Sequence, residues 1–198
     1  MLTQPIQTGW AARFRKTRQR TTAICRNLQT EDYVVQPVAD VSPPKWHLGH
    51  STWFFETFLL IPFAENYRLF HPDFSYVFNS YYETVGKRVL RTDRGNLTRP
   101  TVAEVYEYRN YVDEQLSQLL DDLYNQDFPR RAEFETLLTL GLNHEEQHQE
   151  LLVTDLKYIL GHNPLFPSVA VLPEETFVYN ADAIALQSVA VAEGVYEM

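Results

Sequence analysis

The chain has 198 residues, of which 44% are hydrophobic and 22% charged, with a single cysteine. That composition suits a globular chain able to bury its own core, and one thiol excludes both a disulfide framework and a cysteine-based zinc site. The formal net charge of −9 opposes a phosphate backbone, no apolar run reaches the ~20 residues that span a bilayer, and no signal-peptide core opens the chain; the expectations are a cytoplasmic protein with neither nucleic-acid nor membrane partners.

In chain order, Trp10, Phe14, Thr17, Thr21, Ile24 and Leu28 recur at spacings of three and four, which predicts a helix over about residues 7–29. Arg13, Arg15, Lys16, Arg18 and Arg20 read as its solvated face. Ser42 is placed to cap a second helix with Pro43 at its first position, running through Trp46, Leu48, Trp53, Phe54, Phe58 and Leu59 until Pro62 stops it. Residues 62–100 form a connection rich in Pro, Gly, Asn and Arg, and a compact domain seldom keeps so long a loop without using it. Thr101 with Glu104 makes a capping-box pattern for a third helix, whose apolar stripe continues to about residue 125. A fourth helix starts near Pro129 and continues to Leu160, with Gly161 as its stop. Four helices with one long crossover predict an all-α four-helix bundle over residues 1–165. Residues 166–198 differ, with prolines and β-prone pieces such as Thr176–Tyr179 and Val189–Val191, and read as an extended tail or the start of another domain. Aromatic residues at 14% predict a core or pocket lined with rings.

Bundles build metal sites from side chains on facing helices. His144 and His148 lie four apart in Asn143–Glu150, about 40° apart around a helix and one turn above each other. Leu137, Leu140, Gly141, Leu151 and Asp155 fall on the same stripe, which is expected to face inward. Imidazoles on an apolar stripe need polar partners, and a shared metal ion is one. Asp155, ~20° off the direction of His148, is placed to hold a ring or a polar network. The second helix offers the third ligand as His47 or His50, and spacing does not choose between them; Gly49 permits close helix approach. His144–His148 also spells H-E-x-x-H, with Glu145 as general base of a zinc hydrolase. The longer form of that motif fails, because Leu151 and Thr154 occupy its glycine and third-histidine positions.

Three segments, SPPKWHLGHSTWFFE (Ser42–Glu56), YYETVGKRVLRTDRGNLTRP (Tyr81–Pro100) and NHEEQHQELL (Asn143–Leu152), resemble the N-terminal DinB-like domain of ergothioneine-biosynthesis sulfoxide synthases. The resemblance covers most of residues 10–165 and implies a DinB-like bundle. It implies that His50, His144 and His148 bind Fe(II), with Zn(II) or Ni(II) as alternatives in isolated protein, and leaves His47 as a structural neighbour. The implied reaction is O₂-dependent C–S bond formation with sulfoxidation, joining cysteine or γ-glutamylcysteine to the imidazole carbon of hercynine. Gln147 matches a residue that orients the hercynine imidazole, and Arg88, Arg91 and Arg94 match a basic stretch that binds the thiol substrate's carboxylate. The family continues into a C-terminal domain related to formylglycine-generating enzymes, which supplies a catalytic tyrosine. The end of this chain, Glu193–Met198, resembles the first strand of that domain. The expectation is therefore an incomplete enzyme, lacking full activity alone and able to self-associate as a homo-oligomer through apolar tail residues. The alternatives are a DinB-like metal enzyme of other chemistry, such as thiol transfer, and a non-catalytic bundle that binds a partner.

Overall fold

The computed structural model describes residues 9–80, 86–124, 126–169 and Gly194, and among them every regular element is helical. The predicted β-prone pieces of the tail and part of the Tyr81–Pro100 segment lie outside the described residues.

Helix α1 spans Trp10–Ile24 and buries Ala11, Phe14, Thr17, Arg18, Thr21 and Ile24. It ends earlier than expected, and Leu28 packs against the core from beyond it. Arg18 corrects the reading of a solvated basic face: it is only 2% exposed, because carboxylates on two other helices meet it.

Helix α2, Pro44–Phe55, has no solvated side, since every residue in it is buried. Both α1 and α2 pack against α5 (Val102–Tyr124) and α6 (Arg131–Gly161), which closes the bundle. Ser42 is not the cap of α2. Pro43 occupies that position and Pro44 the first turn, so two residues that lack an N–H stand where helix donors go unpaired. The N–H of Ser42 goes instead to Asp155, at 3.0 Å.

Pro62 does not stop the helix as expected, because helical turns continue through it to Phe63. It cannot donate, and its ring crowds the carbonyl four residues back. The chain widens into a π-turn over Glu56–Leu60, with the Ile61 N–H reaching back to the Glu56 carbonyl, before one last turn, α3 (Ile61–Phe63). The crossover then carries a short helix, α4 (Phe74–Phe78), and a 3₁₀ stretch over Arg91–Asn96. It is pinned to the bundle by Lys45, whose ammonium donates to the carbonyls of Leu97 and Pro100. Gln36 ties it a second time, donating to the Arg91 carbonyl and accepting from the Gly95 N–H.

The capping box of α5 forms as expected: the Glu104 N–H donates to Thr101 Oγ1, and the Glu104 carboxylate accepts from the Thr101 N–H. The stripe of α6 is rotated from the predicted one. Gly141, His148 and Asp155 are buried as expected, but the line's centre is Phe134, Leu138, Leu142, Glu145, Gln149, Leu152 and Leu156, whereas Leu140 and Leu151 are exposed. The histidines therefore sit at the edge of the buried face, where a helix can line a pocket, and not at its centre. The core is ring-rich, with Phe14 edge-on to Phe55 at 5.0 Å and Tyr108 packed among Phe70, Phe74 and Phe78.

Candidate metal centre

Two glycines let the neighbours of α2 approach closely, Gly141 on α6 and Gly49 beneath Phe78 of α4. A Cβ on Gly141 would lie 2.7 Å from the Phe55 ring and 3.0 Å from that of Phe54. A Cβ on Gly49 would overlap the Phe78 ring. With both side chains absent, His50 of α2 meets His144 and His148 of α6, and one ring nitrogen from each lies within 4.8 Å of the others.

Hydrogen bonds decide what each ring can offer. His50 Nδ1 lies 2.6 Å from the Phe78 carbonyl and must donate to it, so its Nε2 keeps a lone pair. His47 is different: its Nε2 meets Asp155 Oδ2 at 2.9 Å and its Nδ1 meets His148 Nδ1 at 2.9 Å. Both nitrogens of His47 are thereby engaged, and the structure groups His50, not His47, with the pair on α6. His144 Nδ1 is buried with no hydrogen-bond partner among the described residues. An orphaned ring nitrogen in that setting is costly unless something satisfies it.

Burial also sets the charge. It lowers the pKa of all four rings, taking His144 down to about 4 and His50 and His148 well down, with the neighbouring imidazoles adding to the drop for the latter two. All four are neutral near pH 7, the state in which imidazole ligates a metal. Metal–imidazole bonds of ~2.0–2.1 Å let two nitrogens on one ion lie up to ~4.2 Å apart, so small ring rotations would close this triad on an ion. The residues fit a metal, and an all-imidazole donor set suits Zn, Cu, Fe or Ni.

The triad lines a pocket of about 300 Å³ together with Trp46, Arg91, Arg94, Gln147 and Asp155. His50 is clamped between Trp46, stacked at 4.5 Å, and Trp53, stacked at 5.5 Å. Arg94 is buried, donates to Ser42 Oγ at 2.8 Å and Ser80 Oγ at 3.1 Å, and lies over the Trp46 ring. Arg91 is exposed at the rim, where it donates to the Asp40 carbonyl. Gln147 is exposed on the pocket wall. Arg88 donates to the Ser80 carbonyl and stands outside the pocket lining.

The sequence profile of the DinB superfamily matches residues 13–152, well over half of the chain, and the match includes all three histidines of the triad. The chain belongs to the DinB superfamily. No curated protein matches it. DinB-superfamily domains are often metal-binding, and the three-histidine cluster of this one is formed across the α2–α6 contact.

The H-E-x-x-H reading is overturned in this DinB-superfamily chain by what Glu145 does. Its carboxylate accepts from Arg109 at 2.5 Å, Arg18 at 2.9 Å and Thr21 at 2.6 Å, in the core and away from the pocket lining. Burial alone would raise its pKa, but Arg109 and Arg18 outweigh that and hold it at about 2. Such a group neither reaches a metal-bound water nor takes up a proton near neutral pH. The pairing of Glu145 with Arg18 and Arg109 escaped the sequence reading. One signal was available: Leu138, Glu145 and Leu152 are spaced by sevens, which puts the glutamate on the buried line.

Proposed function

We propose that this DinB-superfamily domain is the metal-holding part of an Fe(II)- and O₂-dependent sulfoxide synthase, which joins a cysteine-type thiol to the imidazole carbon of hercynine. One observation carries the reading. Three neutral imidazoles converge in a pocket whose wall also holds Gln147, Arg91 and Arg94, residues that the three-motif resemblance assigns to the two substrates. His50, His144 and His148 would hold the metal. When bound, Fe(II) supplies open coordination positions and the redox capacity for C–S bond formation with sulfoxidation.

The chain's own residues supply orientation and charge. A primary amide donates and accepts at once, so Gln147 matches an imidazole that has one nitrogen of each kind. Arg91 and Arg94 put two guanidiniums beside the pocket, which favours a substrate carrying a carboxylate. Trp46 and Trp53 cover both faces of His50 and keep water off the ring. The alternative reading is thiol transfer at the same centre, which needs the metal and the basic wall but not O₂.

The test uses protein purified without affinity-tag histidines. Metal analysis is expected to find one ion per chain. Fe(II)-loaded protein is then incubated in air with hercynine and cysteine or γ-glutamylcysteine, with and without the C-terminal domain that the resemblance implies, and the products are weighed by mass spectrometry. The sulfoxide is expected when that domain is supplied. Its absence from metal-loaded, complemented protein overturns the synthase reading, and a thiol adduct formed without O₂ selects thiol transfer.

A further inference from the structure

Asp155, His47 and His148 form one continuous line of hydrogen bonds that ends at the candidate metal. Asp155 Oδ2 lies 3.0 Å from the Ser42 N–H and 2.9 Å from His47 Nε2. A carboxylate oxygen accepts, so the hydrogen on this side of His47 sits on Nε2. The neutral ring then has a bare Nδ1, which faces His148 Nδ1 at 2.9 Å. Two bare nitrogens do not attract at that distance, so His148 carries its hydrogen on Nδ1 and donates it. His148 Nε2 is left as the lone pair available to an ion.

We infer that His47 and Asp155 are positioning residues that hold His148 in its Nδ1–H tautomer and fix the azimuth of its ring, so that Nε2 is presented to the metal. The proposal rests on the metal-centre reading and deepens it. It also gives the pair of histidines in Trp46–His50 a division of labour: one ring ligates and the other orients a ligand. The two α-helical partners are held in contrasting ways. His50 is fixed by a neutral carbonyl from the crossover, Phe78, and His148 by a charged carboxylate acting through a second imidazole. Outer partners that fix a ligand's tautomer and basicity typically contribute 10–100-fold in metal affinity. Asp155 serves twice, because its hold on the Ser42 N–H also anchors the entry to α2. The carboxylate is thus placed by the same residues that place His47.

The test combines a tautomer measurement with affinities. Long-range ¹H–¹⁵N correlation spectra of the full-length, metal-free protein should show His148 protonated at Nδ1 and His47 at Nε2, and zinc loading should leave both assignments unchanged. His47→Phe and Asp155→Asn should each weaken zinc binding 10–100-fold in chelator competition, with the circular dichroism of the wild type retained. Asp155→Asn stands in should His47→Phe fail to fold. A wild-type spectrum with His148 protonated at Nε2 overturns the relay, and so does zinc affinity within about twofold of wild type in folded variants. Failure of the wild type to take up zinc or Fe(II) overturns the metal reading, a different result from normal uptake that the variants leave unaltered.

Discussion

Arg94 lies over the Trp46 ring, its guanidinium carbon 3.3 Å from the ring centroid. Trp46 in turn stacks on His50 at 4.5 Å. Crossover, α2 and His50 are thereby layered into one stack, so a basic residue on a long loop is mechanically continuous with the candidate metal centre.

Arg94 and Arg91 should consequently separate in their effects. A desolvated cation–π contact is worth about 2 kcal/mol, and only a planar guanidinium can stack and fork at once. Arg94→Lys should cost about 2 kcal/mol in urea unfolding and, on the proposed synthase reading with the C-terminal domain supplied, raise the KM for the thiol about tenfold. Arg91→Met, at an exposed position, should raise that KM with unfolding free energy unchanged within ~0.5 kcal/mol.

Ligand removal should be all-or-none for three histidines and partial for the fourth. Alanine at His50, His144 or His148 leaves two imidazoles, and stoichiometric metal should disappear in each variant by elemental analysis. His47→Ala should keep most of its metal at saturating concentration, because it supplies no ligand nitrogen of its own. An empty site in His47→Ala together with a full one in His50→Ala would reverse the assignment.

Glu145 should dominate the acid limb of stability. Its folded pKa of about 2 lies below the ordinary carboxylate value of ~4.3. The sign follows: stability from this group is fully present above about pH 5 and drains away as pH falls toward about 2. The shift corresponds to about 3 kcal/mol. Glu145→Gln leaves two guanidiniums buried without their shared counter-charge and should cost about 3–5 kcal/mol at pH 7. The gap from wild type in urea midpoints should narrow as pH drops, since the wild-type carboxyl is then neutral too.

Gly49 should be intolerant where Gly161 is not. An alanine at Gly49 collides with the Phe78 ring, and the Phe78 carbonyl is what fixes His50. Gly49→Ala should lose about 1–3 kcal/mol of stability and measurable metal affinity. Nothing lies within 4 Å of a Cβ at Gly161, so Gly161→Ala should be neutral or slightly stabilising. Equal thermal midpoints for the two variants would contradict the packing account.

What the sequence determined by itself was local. The Thr101–Glu104 cap, the one-turn spacing of His144 and His148, and the ring-rich core each depend on neighbours a few residues away, and periodicity reports those directly. Three separated motifs also carried the superfamily, which the profile match over residues 13–152 bears out. Tertiary structure decided everything that depends on who stands opposite. His47 and His50 are equivalent by spacing, and differ only because Asp155, 108 residues away, takes one ring while the Phe78 carbonyl takes the other. Arg18 reads as solvated until Glu145, 127 residues on, is seen to bury it. Leu140 and Leu151 fit an inward stripe as well as Leu138 and Leu142 do, until contact with α1 and α2 turns α6 so that only the latter pair is covered. A helical period fixes the angles between side chains on one helix, and only a packing partner fixes where that whole wheel points.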